Sequence, residues 1–293
     1  MMSIKKYFVV VFILVCTLSC KTQDRLNNIK VKSKTSVQEK KLVFHFNFEN
    51  HNSEYQDFTV KMANEDFNGI DSLVTNDVRG LSGGKTIWPQ KTKVGSGHLR
   101  AHFPGFKATG KKTGFIFDKE ISATQSAVLE YRVKFSNDFQ WKLGGKLPGL
   151  AGGKSPVGCT QNQDKIKNGF STRLMWRDEA KLVLYTYFPD RTTRCGEDFT
   201  IMENMNSEQW YTIKQELQLN TPGKHDGIVK MYVDNQLMLI KKDVLFRLEH
   251  KENVKVDRVL FHTYAGGNDD ANWWSTKDQY IYFDDFKVWV EPK

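Results

Sequence analysis

The sequence predicts an all-β protein built as an antiparallel β-sandwich or jelly roll. Three observations predict this class. Short segments of alternating apolar and polar residues recur along the chain, turn-forming residues separate them, and almost no stretch shows helical periodicity. Aromatic residues, which favour strands, make up 13% of the chain. Many short strands with loops between them are typical of two packed sheets.

The N-terminus carries the pattern of an export signal. Lys5 and Lys6 precede an apolar run at 7–18, which is shorter than the roughly 20 residues of a membrane-spanning helix. The following Thr-Leu-Ser-Cys resembles the lipobox of bacterial lipoproteins, in which the cysteine, here Cys20, is lipidated. We therefore expect an exported lipoprotein anchored to a membrane, or otherwise a secreted protein. The expected segments are a signal peptide at 1–19, the anchor and a flexible tether at 20–40, and one domain at 41–293.

Several segments of the domain show the two-residue period of strands. In one of them, Asp234 and Asn235 separate two alternating runs and predict the tight turn of a hairpin. The segments are 41–49, 127–135, 227–241 and 279–290.

The segment at 169–190 predicts a second hairpin with one polar face. Its strands are joined by a three-residue polar loop, and if Arg177 pairs with Lys181, one face is polar and the other belongs to the core. An ordinary solvated sheet face is the alternative, and a loop of different length would split the polar set between the two faces. The polar face carries Ser171, Arg173, Arg177, Tyr185 and Tyr187, and the core face carries Leu174, Trp176, Leu182 and Leu184.

Charge and cysteine content restrict the partners and the chemistry. A net charge of +9 favours polyanions such as nucleic acid, anionic lipid or acidic polysaccharide, although it also aids solubility. Export and the lack of a nucleic-acid-binding motif argue against nucleic acid. Export also favours a disulfide between Cys159 and Cys195. Neither cysteine has a neighbouring Cys or His at a metal-binding spacing, so we expect no metal site there.

Glycine pairs flank Lys146 in the sequence WKLGGKLPGLAGG at 141–153. Paired glycines form tight turns and let the backbone approach a ligand closely. We therefore expect Lys146 at the edge of a loop, with an ordinary glycine-rich turn as the alternative. The spacing does not match a phosphate-binding loop.

Several of these segments together resemble polysaccharide lyase family 14, which contains alginate and glucuronan lyases. The resemblance covers about 127–290, and residues 155–168 depart from it because they include a few extra residues and replace an expected glycine-rich run. It implies a β-jelly roll with a concave substrate-binding sheet, no required metal or cofactor, and catalytic roles for Lys146, Ser171, Arg173, Tyr185 and Tyr187. The matching stretches are WKLGGKLPGL (141–150), GFSTRLMWR (169–177), LYTYFPD (184–190) and YAGGNDD (264–270).

The resemblance further implies cleavage by β-elimination, in which the C5 proton of a uronate is removed and the O4 leaving group is expelled. Neutralising the substrate carboxylate is the main electrostatic task, which suits Arg173 or Lys146, with Ser171 orienting that carboxylate. A tyrosine beside positive charges is a credible base and acid. A lysine of lowered pKa is the alternative base, and the sequence leaves this choice open.

Further residues are candidates for binding an acidic polysaccharide, although each has a structural alternative as a solvated charge or a packing residue. These candidates are Arg132, Lys134, Arg177, Lys142, His262 and Trp273.

The leading hypothesis is a monomeric alginate lyase, and a glucuronan lyase is the alternative within the same class. A non-catalytic sugar-binding jelly roll is a third hypothesis, but it has no use for the polar set. A glycoside hydrolase would need two opposed carboxylates, which the hairpin lacks.

Overall fold

The computed structural model describes residues 40–70, 78–84 and 92–292, and these residues form two antiparallel β-sheets. The predicted β-jelly roll is confirmed. Two short helices, α1 (Val60–Asp66) and α2 (Gln163–Lys167), complete the regular structure together with a 3₁₀ turn at Asp178–Ala180. The strands are β1 (Lys41–Phe46), β2 (Gln56–Asp57), β3 (Lys93–Gly95), β4 (His98–Phe103), β5 (Phe115–Thr124), β6 (Ser126–Phe135), β7 (Gly145–Gly153), β8 (Gly169–Trp176), β9 (Leu182–Tyr187), β10 (Glu197–Met202), β11 (Trp210–Gln218), β12 (Gly227–Val233), β13 (Gln236–Val244), β14 (Val256–Ala265) and β15 (Gln279–Val290).

The two sheets differ in size and enclose one core. The larger sheet has the order β13-β12-β11-β6-β15-β4-β3-β2, with β1 also paired to β15, and the smaller has the order β10-β9-β8-β7-β14-β5. Phe261 of the smaller sheet meets Phe286 of the larger at 4.8 Å between ring centroids, and Trp176 meets Phe135 at 5.9 Å. Alternation along each strand buries one face between the sheets and leaves the other outside.

The hairpins form as the local sequence predicts. Asp234 and Asn235 link β12 to β13 with φ of 49° and 66°, and Asp and Asn tolerate this left-handed region better than most residues. In the β8–β9 hairpin, Ser171 lies opposite Tyr187 and Arg173 lies opposite Tyr185, as expected. The predicted core face is also correct, because Leu174, Trp176, Leu182 and Leu184 are all buried in the main core.

The expectations about export fall outside the described residues. The signal peptide at 1–19, the anchor residue Cys20 and most of the tether at 20–40 are not covered. Within the residues that the structure does describe, no helix is both long enough and apolar enough to span a membrane.

Candidate active site

A cleft opens on the outer face of the smaller sheet. Met175, Val183, Tyr185 and Tyr187 are buried there as a small cluster separate from the main core, because loops cover this side of β8 and β9. The cleft is lined by Lys146, Gly158, Cys159, Met175, Arg177, Tyr185, Tyr187, Cys195, Gly196, Tyr264, Gly267, Asn268 and Trp273.

Lys146 is the second residue of β7, where it lies opposite Met175 on β8 and Tyr264 on β14. The expectation that it projects from the edge of a loop is therefore wrong. The preceding Gly144 has φ of 114°, and a Cβ there would lie 2.0 Å from the carbonyl oxygen of Trp176. The glycine lets the backbone turn against β8 and enter the sheet, so the glycine-rich stretch builds a strand rather than a ligand loop.

Burial and neighbouring cations favour the uncharged form of the Lys146 side chain. Its Nζ donates to the Met175 sulfur at 2.6 Å and lies 3.9 Å from the centroid of the Tyr185 ring. The ring favours a cation by up to about 2 kcal/mol, but an unpaired buried ammonium costs several kcal/mol. Burial first, and then the Arg173 and Arg177 guanidiniums, lower the pKa of Lys146 well below its ordinary value. These effects favour a neutral amine at the cleft, which Lys146 lines.

Tyr185 and Tyr187 form a hydrogen-bonded pair. Their hydroxyl oxygens are 3.1 Å apart, and each also accepts a backbone N–H, from Gly196 at 2.9 Å and from Cys159 at 2.8 Å respectively. One phenol proton is used between the two oxygens, so a single phenol proton remains to be donated elsewhere. Burial, followed by the presence of Tyr187, raises the pKa of Tyr185 above its ordinary value. This pair is suited to give a proton rather than to take one.

The predicted disulfide between Cys159 and Cys195 is confirmed. It joins the two loops whose backbone N–H groups reach the phenols, because Gly196 directly follows Cys195. The bond therefore ties together the two backbone donors of the tyrosine pair.

Arg173 is completely buried next to the cleft, with its guanidinium carbon 6.0 Å from the centroid of the Tyr185 ring. Its Nη1 donates to His262 Nδ1 at 3.2 Å and to the Tyr264 hydroxyl at 3.4 Å. Among the residues that the structure describes, neither its Nε nor its Nη2 has a hydrogen-bond partner. These two nitrogens form the edge of a guanidinium that binds a carboxylate through two parallel hydrogen bonds. A buried cation with this edge empty is suited to an incoming anion.

Arg177 has the same edge already filled. Its Nε and Nη2 donate to the two carboxylate oxygens of Asp198 at 2.8 and 2.9 Å, and its Nη1 donates to the Leu143 carbonyl at 3.2 Å. Arg177 lines the cleft wall, but its charge is compensated within the protein. This difference between the two arginines favours Arg173 as the carboxylate-binding residue.

Ser171 is placed on the predicted face but is covered by the chain. Its hydroxyl donates to the carbonyl of Pro156 at 2.7 Å, and the residue has no exposed surface. The covering loop belongs to 155–168, the segment in which the sequence departs from the family resemblance. In this arrangement the Ser171 hydroxyl holds that loop, and its role in orienting a substrate carboxylate stays a prediction.

The remaining binding candidates are dispersed. Trp273 lines the cleft. Lys142 lies in the turn before β7 with φ of 50° and does not line it. His262 is buried behind Arg173. Arg132 and Lys134 lie on β6 of the larger sheet, so the structure does not bring them to the cleft. Alternation identified their outward face correctly, but it carries no information about which sheet a strand joins.

Sequence reasoning missed three residues of this site: Asp118, Asp198 and Tyr264. Asp118 lies on β5 directly after the core residue Phe117. Its carboxylate accepts a hydrogen bond from His262 Nε2 at 2.8 Å. The available signal was a carboxylate directly after the apolar run of 115–117, although Lys119 and Glu120 follow it. Tyr264 reaches the cleft through the pairing of β14 with β7, which is remote in sequence and which no local pattern reveals. Asp198 lies opposite Tyr185 on the neighbouring strand β10, and it belongs to the site through its contact with Arg177.

The fold and the site together define a class of protein, a β-jelly roll whose outer sheet face holds a cleft of amine, guanidinium and phenol groups. Comparison with known proteins gives the family. The model of the family Polysaccharide lyase 14 matches residues 91–286, about two thirds of the sequence, and the chain belongs to this family.

Individual relatives agree with this assignment. Exolysin of Paramecium bursaria Chlorella virus 1 is 26% identical over 212 residues, which are 61% of this chain and 32% of the viral protein, so the chain spans about a third of that curated relative. The alginate lyase Aly36B matches with a TM-score of 0.69 and 21% identity, covering 85% of this chain and 98% of its own. The marine alginate lyase of Aplysia kurodai matches with a TM-score of 0.64 and 23% identity, covering 86% and 100%. Mutant forms of Aly36B have also been solved with alginate trisaccharide and tetrasaccharide. At these identities the structures show a shared fold.

Proposed function

We propose that this protein is an alginate lyase that cleaves its polymer by β-elimination. The single observation that carries the proposal is one cluster of three groups. The buried Lys146 amine and the Arg173 guanidinium both lie against the ring of Tyr185, which is hydrogen-bonded to Tyr187, and the carboxylate-binding edge of Arg173 has no partner among the described residues. The alginate named for relatives of the same fold supports the choice of substrate.

The proposed reaction distributes three tasks over these groups. Arg173 binds the uronate carboxylate, which allows negative charge to develop next to C5. Lys146 takes the C5 proton on its Nζ, the C–H electron pair becomes the C4–C5 double bond, and the bond from C4 to O4 breaks. O4 receives the free proton of the Tyr185–Tyr187 pair. The proton balance closes when Lys146 returns its proton to the pair through solvent.

The electrostatics favour this division over the reverse assignment. A raised pKa keeps Tyr185 protonated, and a lowered pKa keeps Lys146 free to accept. An acid and a base whose pKa values are moved in these directions match their tasks. Because Arg173 is buried, we expect the long side chains of the cleft floor to shift when the carboxylate enters, since catalytic contacts often tighten only in the complex.

A panel of polymers tests the proposal. The purified protein is incubated with alginate, polymannuronate, polyguluronate and glucuronan, and the ultraviolet absorbance of the unsaturated product is followed. We expect product from alginate and from at least one of its homopolymers. Product from glucuronan alone would replace alginate by glucuronan as the substrate, and no product from any polymer would contradict a lyase function.

A further inference from the structure

Arg173 contacts a buried pair of residues, His262 and Asp118, on the side away from its unpartnered Nε–Nη2 edge. His262 on β14 lies between Arg173 and Asp118 on β5. Arg173 Nη1 is 3.2 Å from His262 Nδ1, and His262 Nε2 is 2.8 Å from an oxygen of Asp118. All three side chains are at least nine-tenths buried.

Donor chemistry fixes the state of the imidazole in this chain. A guanidinium can only donate hydrogen bonds, so Nδ1 of His262 must accept. The ring proton therefore lies on Nε2 and is donated to Asp118. Asp118 selects this tautomer and holds the ring in the plane in which Nδ1 points at Arg173.

The interposed ring explains why the guanidinium keeps an empty edge. Asp198 contacts Arg177 directly and occupies both nitrogens of its edge. Asp118 is held one side chain further from Arg173, and the imidazole takes only Nη1. The guanidinium is thereby fixed in place by one nitrogen while Nε and Nη2 remain without a partner among the described residues.

We propose that Asp118 and His262 are positioning residues that hold Arg173 by Nη1 and present its Nε–Nη2 edge to the substrate carboxylate. This inference rests on the proposed function, in which Arg173 binds that carboxylate. It assigns His262 a role behind the binding group, in place of the direct contact with substrate expected from the sequence.

A double-mutant cycle tests the pair. On alginate, Asp118→Ala is expected to lower kcat/KM by about 10- to 100-fold, the range typical of outer partners that orient a binding group. In an Arg173→Lys background, whose amine lacks the two-nitrogen edge, Asp118→Ala is expected to cause no further loss, because both changes remove the same interaction. Asp118→Asn retains an oxygen that accepts from Nε2, so it should keep more activity than Asp118→Ala and guards against a folding defect.

The carboxylate provides a second readout. Alginate whose carboxylates have been methyl-esterified needs no neutralisation, so wild type and Asp118→Ala should cleave it at the same rate. Asp66 is the control, because it lies on α1 outside the cleft lining and forms a partly buried Asp–His pair with His51 at 3.0 Å. Asp66→Asn is expected to leave kcat/KM on alginate unchanged.

The outcomes separate this inference from the function on which it rests. If Arg173→Lys and Arg173→Ala keep full activity, the proposed role of Arg173 fails. If they lose activity while Asp118→Ala retains it, or if the losses multiply in the double variant, the positioning pair is overturned and the role of Arg173 survives. Nitrogen chemical shifts that place the His262 proton on Nδ1 would also overturn it.

Discussion

At the residue scale, burial and pairing affect the charges of two basic side chains in the cleft differently. Lys146 and Arg177 are both cations in water, but Arg177 has Asp198 as a partner and Lys146 has none within the described cleft. A lysine can release its proton when it is desolvated, whereas an arginine cannot. Burial therefore favours the neutral form of Lys146, whereas Asp198 compensates the charge of Arg177 in the same cleft.

Replacing Lys146 by methionine separates stability from activity. An unpaired buried amine destabilises the fold, so Lys146→Met is expected to hold or raise the melting temperature while activity falls by roughly 10²- to 10⁴-fold. At pH values between the lowered pKa of Lys146 and its ordinary value of 10.5, this residue carries a proton in the unfolded wild type but not in the folded wild type. Stability therefore rises with pH in that window, and the advantage of Lys146→Met should shrink toward 10.5. A marked loss of stability at neutral pH would contradict an uncharged, unpaired lysine.

The pH dependence of kcat tests the same amine by a different route. Activity should rise with pH through the lowered pKa of Lys146, since only the neutral amine accepts a proton. Arg177 lowers this pKa and Asp198 raises it. Arg177→Gln should therefore move the acid limb of the profile to higher pH, and Asp198→Asn should move it to lower pH. Shifts of both variants in one direction would show that the limb belongs to another group.

At the element scale, close approach of β7 to β8 places Lys146 and Arg173 in one site. Their pairing shifts register between Leu147 and Leu150, and the side-chain amide of Gln215 from the larger sheet bonds both strands there. A Cβ on Gly149 would lie 2.3 Å from the Thr172 carbonyl oxygen and 2.6 Å from Arg173 Cα. Only glycine allows this contact.

Gly149→Ala is accordingly expected to push β7 away from β8. We expect a loss of about 1–3 kcal/mol in unfolding free energy, the usual cost of overpacking, together with reduced activity because Arg173 moves. Chemical denaturation measures the first effect. Gly69→Asn is the control for replacing a glycine without a clash, since nothing lies within 4 Å of a Cβ there and asparagine tolerates the left-handed φ of 85° better than most residues. Equal stability of Gly149→Ala and wild type would contradict the close approach.

The disulfide is a second device at this scale, because its two loops supply the backbone donors to the phenols. Cys159 and Cys195 are 36 residues apart, and opening a loop of this size costs up to about 4 kcal/mol on the chain-entropy model. The Cys159→Ser, Cys195→Ser double variant should therefore unfold at lower temperature. It should also lose activity below its melting temperature, and unchanged kcat there would show that the phenols need no tethered loops.

Local patterns explain which of these elements could be predicted from the sequence. The three-residue turn after Arg177 fixes the β8–β9 register, and with it the shared face of Arg173, Tyr185 and Tyr187. Strand neighbours that are distant in sequence could not be predicted, because alternation gives a face and not a partner. The distance of Arg132 from the cleft follows from such pairing. The error over Lys146 has a different cause, because its flanking glycines were interpreted as a loop whereas they belong to the start of a strand.

At the scale of the whole molecule, the core that stabilises the described domain and the cleft that holds the candidate site lie on opposite faces of the smaller sheet. The inner faces of both sheets form a continuous aromatic core, which frees the outer face of the smaller sheet to bury unpaired polar groups. Such groups are costly, and a rigid two-sheet scaffold can hold them in place. The resemblance visible in the sequence implied the candidate catalytic residues, whereas the contacts that Asp118, Tyr264 and Asp198 make with Arg173, His262 and Arg177 required the assembled fold.

The stoichiometry of cleavage tests the account most directly. Reducing ends and unsaturated ends are counted together while the purified protein degrades alginate. Elimination by the Lys146 amine predicts that each bond cut yields both a new reducing end and an unsaturated end, and that folded Lys146→Met yields almost none of either. Reducing ends without matching unsaturation, or full cleavage by Lys146→Met, would contradict it.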